Sequence, residues 1–217
     1  MEYIFLDVRN PIAMRVRRLA MLLSGLEPHP SNSVELEQYT TDGELAARWL
    51  ADISAFSDLS EGCKVADLGA GNGVLGLGAM AMGAGCAILV EADQTACDVA
   101  MSNAESMCVA DSVEVIRATV GLDPIDLDSI DVVISNPPWG RQIERADRPF
   151  LEAILSAGVT AHLMHNAGAR HIQSIFEAAG WGVERYGEAD FALPVAYEHH
   201  ARERGRTRAA FWRLSPP

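Results

Sequence analysis

The sequence has 217 residues, a mass of 23.4 kDa and a hydrophobic fraction of 49%, which is enough apolar material for one compact domain. This composition excludes a disordered or fibrous chain. No apolar run approaches the roughly 18 to 20 residues of a membrane span, and charges interrupt the N-terminus, unlike a secretory signal peptide. We therefore expect a soluble, cytoplasmic protein.

The net charge is −13 and the sequence pI is about 4.8, values that ordinarily argue against a nucleic-acid partner. The average hides a basic C-terminal segment, residues 199–217, in which several arginines alternate along the chain. A local patch of this kind can contact phosphates while the rest of the surface stays acidic. The four cysteines form no C-x-x-C pair, and His199 and His200 have no third ligand at suitable spacing, so we expect no metal site.

An N-terminal arm, residues 1–43, precedes the predicted domain, residues 44–217. Helices are predicted at 44–56, 73–82, 95–106, 150–158 and 169–179, and strands at 64–68, 86–90, 113–117, 130–135, 160–164, 182–191 and 208–214. Alternating strands and helices predict a doubly wound α/β fold with a mostly parallel, seven-stranded sheet. The last two strands are predicted to form an antiparallel hairpin around the basic loop 198–207.

A glycine-rich loop, Asp67–Gly73 (DLGAGNG), lies between a predicted strand and a predicted helix, where glycines let the backbone approach a ligand. Glu91 ends the next strand and can accept hydrogen bonds from a ribose diol. The glycine spacing differs from the G-x-G-x-x-G of dinucleotide sites, and a carboxylate at Asp67 would repel a pyrophosphate. The loop thus favours S-adenosylmethionine, with Asp67 near its amino group. The alternative is a tight turn without a ligand.

The segment Asn136-Pro137-Pro138-Trp139 follows the fourth predicted strand and so faces the same crevice as the glycine loop. An amine conjugated to an aromatic ring is a poor nucleophile. The Asn136 side-chain oxygen and the Pro137 carbonyl could accept its two N–H hydrogens and concentrate lone-pair density on the nitrogen. Trp139 could stack on a planar base. The alternatives are a proline loop stop and a tryptophan that belongs to the core.

Together these motifs resemble the methyltransferase-like-five family, which methylates N6 of an adenine in small-subunit ribosomal RNA. Two further stretches carry the resemblance, Leu36–Thr41 (LEQYTT) and Leu193–His200 (LPVAYEHH), and Phe150, Leu151 and His165 match by position. The resemblance covers nearly the whole chain, from about Leu36 to Leu214.

The resemblance implies a Rossmann-like class I methyltransferase fold, S-adenosylmethionine as cofactor, and a heterodimer with a small zinc-ribbon activator protein that covers an apolar sheet edge. Cofactor contacts are implied for Gln38, Thr41, Asp67, Gly69, Gly71, Asn72, Gly73, Glu91, Ala92, Thr119, Val120 and Asn136. Asn136 to Trp139 would bind and activate the adenine, and RNA contacts are expected from Tyr197, His200, Arg202, Arg204 and Arg206. The sequence departs from the family in two places. Thr119 stands where the family has an aspartate, and Trp139 stands where it usually has phenylalanine.

Three other functions are compatible with parts of this pattern. A methyltransferase acting on a glutamine side chain of a release factor uses the same proline motif, but the LEQYTT stretch and the terminal arginines argue against it. A non-catalytic scaffold for ribosome assembly would not need the acceptors of the proline motif. A dinucleotide oxidoreductase is the remaining alternative.

Overall fold

The computed structural model describes residues 16–30, 41–140, 143–192 and 206–217. Its helices are α1 (Val16–Ser24), α2 (Gly43–Ala55), α3 (Val74–Ala81), α4 (Gln94–Ser106), α5 (Arg148–Ala157) and α6 (His171–Ala178). Its strands are β1 (Lys64–Leu68), β2 (Cys86–Glu91), β3 (Val113–Arg117), β4 (Val132–Ser135), β5 (Thr160–Asn166), β6 (Gly182–Ala192) and β7 (Arg206–Ser215). None of the helices in these ranges is long and apolar enough to cross a bilayer.

The seven strands form one sheet in the order β3-β2-β1-β4-β5-β7-β6. Strands β1 to β5 pair in parallel, whereas β7 runs antiparallel to both β5 and β6. The strand order steps outward in both directions from β1 and β4, which is the pattern of a doubly wound sheet. The predicted α/β fold and its C-terminal antiparallel hairpin are confirmed.

Helices cover both faces of the sheet, and alternate strand residues show which face is which. Val132 and Ile134 of β4 belong to an apolar cluster with α1, α2 and α3, while Val133 between them belongs to a second cluster with α5 and α6. Because side chains alternate across a strand, these clusters lie on opposite faces. A sheet buried on both faces explains why the central strands read as continuous apolar runs.

Helix α1 was not predicted, because Arg17 and Arg18 interrupt its apolar pattern. Leu19 and Leu23, one helical turn apart, are both buried in the cluster with α2 and α3. Glycine makes this close packing possible: a Cβ built at Gly78 of α3 would lie 3.1 Å from Leu23 Cδ1 and 2.4 Å from a side-chain carbon of α2. The N-terminal segment therefore contributes to the core.

A partly buried polar network joins α2 to the C-terminal strands. The Trp49 indole donates to the Tyr186 hydroxyl (2.7 Å), which contacts His162 Nδ1 (2.9 Å), and His162 Nε2 lies 2.9 Å from Asp58 Oδ2. Arg213 donates twice to the same carboxylate, at 2.6 and 3.0 Å. Burial opposes ionisation of Asp58, but hydrogen bonds from Arg213 and His162 outweigh it and lower its pKa.

Replacing Asp58 with asparagine should destabilise the fold by about 2 kcal/mol at pH 7, because Arg213 and His162 lose their anionic partner. Stability from this carboxylate is present above the ordinary aspartate pKa of 3.8 and is lost as pH falls through the lower folded value. The difference in stability between the wild type and the variant should therefore begin to shrink as the pH falls below 3.8. Urea unfolding from pH 7 to pH 3 measures both effects. The exposed Asp111→Asn is the control, and an equal loss there would refute a special role for Asp58.

Candidate functional site

The glycine loop and the proline motif begin at the same point of the sheet. Strands β1 and β4 are parallel neighbours in which Leu68 pairs with Ser135, so the chain leaves both strands at the carboxyl edge. The buried Ser135 hydroxyl donates to the Leu68 carbonyl at 2.7 Å and joins the two strand ends. The two motifs therefore leave adjacent strands at the same edge of the sheet, as the sequence predicts.

The glycine loop adopts backbone conformations that favour glycine. Gly69, Gly71 and Gly73 have φ angles of 76°, 56° and 83°, all in the left-handed region. The amides of Gly69 and Ala70 both donate to the Val90 carbonyl, at 2.9 and 3.0 Å, which holds the loop against the end of β2.

Glu91 is connected directly to this loop. One of its carboxylate oxygens accepts the Gly71 amide at 2.9 Å, and the other accepts the amides of Ala92 and Asp93 at 2.9 and 3.0 Å. A carboxylate has about four lone-pair sites, so these bonds fix its orientation and leave acceptor capacity for a ribose diol. Glu91 is therefore hydrogen-bonded to the glycine loop, as the predicted pairing requires.

Asp67 is fully buried at the end of β1, directly beneath the loop. Its Oδ2 accepts the Gly76 amide at 2.8 Å, whereas its Oδ1 has no hydrogen-bond partner among the described residues. Burial raises the pKa of Asp67 to about 7. A buried carboxylate oxygen without a protein partner is costly to the apo protein and suits a cationic ligand group.

The N-terminal segment crosses the glycine loop through contacts that the sequence analysis did not identify. The buried Asn103 of α4 donates to the carbonyls of Glu27 (3.1 Å) and Asn72 (3.0 Å) and accepts the Glu27 amide (2.8 Å). The Asn72 side chain also donates to Glu27 at 2.9 Å, so its role here is to fasten the loop. A Cβ at Gly71 would lie 3.2 Å from the His29 ring. No local sequence pattern indicates such long-range contacts.

In the proline motif, the Asn136 carboxamide has partners on both sides. Its Nδ2 donates to Thr41 Oγ1 at 3.1 Å, and its Oδ1 accepts the Trp139 indole N–H at 3.0 Å. Thr41 and Pro137 are buried, and Pro138 is half-buried. Thr41 thus lies beside the motif, and its contact with the cofactor stays a prediction.

The Trp139 ring is packed inside the protein, with only 6% of the residue exposed. Its centroid lies 6.0 Å from that of His165 in a stacked arrangement and 4.8 Å from that of Phe191 in a tilted one. The base-stacking role expected for Trp139 stays a prediction, and in this structure the ring already has aromatic neighbours.

Two histidines meet a buried carboxylate behind Trp139. His165 Nε2 lies 3.0 Å and His171 Nε2 lies 2.5 Å from Asp147 Oδ2. Burial opposes ionisation of Asp147, but the contacts with His165 and His171 outweigh it and lower its pKa to about 2. Asp147 and His171 also line a cavity of about 960 Å³ that opens beside Trp139 between α5 and α6.

This cluster has the composition of a metal site, but its hydrogen bonds oppose that function. The Asn166 amide donates to His165 Nδ1 at 2.9 Å, so the proton of the neutral ring lies on Nε2. A metal ligand at Nε2 would need the other tautomer, which would direct two N–H groups at each other. The Asn166 amide therefore orients the His165 ring, and its Nε2 lies close to the Asp147 carboxylate without a hydrogen bond of good geometry among the described residues.

The expected adenine end of the cofactor site is more open. Thr119 is exposed and Val120 is buried. The Thr119 amide donates to Asp123 Oδ2 at 2.8 Å, so a carboxylate does lie beside this position, although the sequence analysis did not single it out.

The remaining predicted residues belong to segments outside the described ranges. These are Gln38 and the RNA-contact candidates Tyr197, His200, Arg202 and Arg204. Arg206 begins β7, but the position of its side chain is not described.

Comparison with known proteins places this geometry in a family. The methyltransferase small domain profile matches residues 50–168. An uncharacterised Methanocaldococcus jannaschii protein is 32% identical over 202 residues, 88% of this chain and 89% of that protein. The Danio rerio rRNA N6-adenosine methyltransferase METTL5 is 29% identical over 209 residues, 94% of this chain and all of that protein. A Pyrococcus horikoshii structure, provisionally assigned as an RNA methyltransferase, has a TM-score of 0.81 at 32% identity and covers 94% of this chain and 99% of that one.

Such a family implies S-adenosylmethionine as methyl donor, and the residues at the carboxyl edge fit it. The left-handed glycines open the backbone to close approach, and Glu91 is oriented for a ribose diol. The unpartnered Oδ1 of Asp67 suits the ammonium group of the methionine moiety. The Asp67 carboxylate at the base of the glycine loop would repel a pyrophosphate, so the dinucleotide alternative is not supported.

Asp67→Asn should weaken S-adenosylmethionine binding about tenfold to a hundredfold at pH 8, because a charged hydrogen bond to the ammonium is lost. Wild-type affinity should rise from pH 6 to pH 8, as the carboxyl with a pKa of about 7 ionises. The folded pKa of Asp67 lies above the unfolded value of 3.8, so ionisation of Asp67 lowers the free energy of unfolding as pH rises. Without cofactor, Asp67→Asn should therefore be more stable than the wild type at pH 8.

Titration calorimetry at pH 6, 7 and 8, with urea unfolding of the same samples, measures both effects. The exposed Asp98→Asn serves as the charge-matched control. A wild-type affinity that does not change with pH would contradict the assignment.

Proposed function

We propose that this chain methylates N6 of an adenine in structured RNA. The chain belongs to the methyltransferase small domain family and, within it, to the methyltransferase-like-five group. Small-subunit rRNA is the proposed substrate, and the proposal sets the reaction in the cytoplasm. The observation that carries it is the Asn136 carboxamide, held at the carboxyl edge beside the glycine loop. The near-full-length similarity to an rRNA N6-adenosine methyltransferase supports the choice of substrate.

The cofactor supplies an electrophilic methyl group on a sulfonium sulfur. In the proposed reaction, Asn136 Oδ1 and the Pro137 carbonyl each accept one N–H of the adenine amine and aim its lone pair at that methyl group. When bound, the cofactor would supply the methyl group that replaces one hydrogen of the amine, and the amine would release one proton to solvent. The chain contributes position and electrostatics, so no side chain needs a shifted pKa for this step.

The proline motif is built to hold those acceptors in place. Pro137 is buried, and the two prolines restrict φ at consecutive positions, which limits the conformations of the backbone carbonyl between them. Residues of this kind lower the cost of ordering the site when substrate binds.

The main rival is methylation of a glutamine amide in a release factor, because a primary amide also carries two N–H hydrogens. The C-terminal arginines and the rRNA-modifying relative favour RNA.

The proposal also includes the zinc-ribbon activator as a partner. Strand β3 lies at one edge of the sheet and carries the half-buried apolar residues Val115 and Ile116, so we propose this edge as its docking surface.

Transfer of a labelled methyl group from S-adenosylmethionine tests the proposal directly. Purified small-subunit rRNA and a release factor are offered separately, each with and without the zinc-ribbon protein, and modified nucleosides are then analysed. Labelled N6-methyladenosine is the expected product. Label on the release factor instead would move the chain to the glutamine methyltransferases.

Asn136→Ala should lower the rate of methyl transfer at least a hundredfold, because it removes an acceptor used by the reacting amine. Cofactor affinity should stay within about threefold of wild type, since the Asp67 and Glu91 contacts remain. Single-turnover assays and calorimetry separate the two effects. Gln173→Ala, on the exposed face of α6, is the control. A parallel loss of cofactor binding would contradict the role of Asn136.

A further inference from the structure

The orientation of the Asn136 carboxamide decides whether the site offers an acceptor or a donor to the substrate amine. A carboxamide can rotate by 180°, which exchanges its oxygen and its NH₂ group. In one orientation the free side of the group presents oxygen to an incoming N–H. In the other orientation it presents its NH₂ group, whose N–H bonds would repel those of the amine. The proposed reaction therefore needs a device that selects one orientation.

Thr41 cannot make that selection. Its hydroxyl accepts from Asn136 Nδ2 at 3.1 Å, but a hydroxyl can equally well donate to an oxygen in the same place. Trp139 is different, because an indole N–H only donates. At 3.0 Å from Asn136 Oδ1, it is compatible with one of the two orientations.

The same bond leaves room for the substrate. The Asn136 oxygen has two lone pairs, of which the indole uses one and the amine can use the other. The Trp139 contact and the proposed substrate contact can therefore exist together, and the carboxamide need not reorganise when the adenine arrives.

The indole itself is fixed by the cluster behind it. Trp139 is 6% exposed and stacks on His165, whose Nδ1 accepts the Asn166 amide and whose Nε2 faces Asp147. To stack on a target base, the indole would have to leave Phe191 and His165 and release Asn136. The packing favours a ring that stays in place.

From this geometry we infer that Trp139 is a positioning residue: its indole N–H sets the orientation of the Asn136 carboxamide, and its ring is part of the protein interior and not a platform for the base. Phenylalanine at this position could fill a similar space but could not donate. The inference rests on the proposed function, because it assigns a role in presenting an acceptor to the substrate amine.

Trp139→Phe separates the two roles, since it keeps an aromatic ring and removes the donor. The single-turnover rate should fall fivefold to tenfold, while affinities for rRNA and S-adenosylmethionine stay within twofold of wild type. Trp139→Leu, which removes the ring as well, should show a similar loss of rate if the fold is intact. The control is Trp181→Phe, which removes a buried indole packed on Phe176, away from the motif, and should leave the rate unchanged.

Two outcomes would overturn the inference. One is a wild-type rate in Trp139→Phe, which would show that the donor is not needed. The other is a Trp139→Leu variant whose main defect is weaker RNA binding, which would show that the ring stacks on the base.

A second measurement does not depend on catalysis. The indole ¹H–¹⁵N resonance of Trp139, assigned by its disappearance in Trp139→Phe, should exchange slowly with solvent and should lose that protection in Asn136→Ala. Protection that is unchanged in Asn136→Ala would refute the hydrogen bond. If the wild-type protein methylates no RNA, the proposed function fails, and the resonance still decides whether Trp139 holds Asn136.

Discussion

The pairing of β1 with β4 is the contact on which the site depends. Leu68 and Ser135 lie opposite each other in parallel strands, and the Ser135 hydroxyl donates to the Leu68 carbonyl. A shift of one residue in this register would turn the side chains of β4 to the opposite faces and so remove them from the apolar clusters in which they pack. It would also displace the proline motif along the strand direction relative to the glycine loop. The same hydrogen-bonded register thus aligns the acceptor of the proposed reaction with the cofactor site.

The two acidic residues at this edge differ in how many protein partners they have. Glu91 accepts three backbone amides, so both of its carboxylate oxygens are hydrogen-bonded within the protein. Asp67 accepts one amide and is fully buried, so the protein opposes its charge. A site that satisfied Asp67 internally would be more stable and would bind a cation less well. This conflict between stability and binding is expected where a ligand completes the structure.

Much of the fold could be predicted from local sequence, because its signals are local. β1 and β3 have the predicted bounds, and each is a short, mainly apolar segment with clear ends. Helix α1 was not predicted, because its arginines interrupt the apolar pattern to which its two buried leucines belong. The fastening of the glycine loop by Asn103 could not be predicted, since its partners lie 76 and 31 residues away. The burial of Trp139 depends likewise on residues from β5 and β6, whose positions only the folded sheet determines.

Those distant contacts also explain how a loop can be rigid enough for catalysis. From Thr41 near the start of α2, a continuous series of contacts runs through Asn136, Trp139 and His165 to Asp147 at the start of α5. Each member contacts the next: the indole donates to the carboxamide, the His165 ring stacks on the indole, and the Asp147 carboxylate lies 3.0 Å from that ring. Thr41 and Asp147 lie next to regular helices, so these contacts hold the Asn136 carboxamide in place although it lies on a loop. An acceptor held in this way is ordered before the substrate arrives, which is the condition for electrostatic stabilisation of a weakly nucleophilic amine.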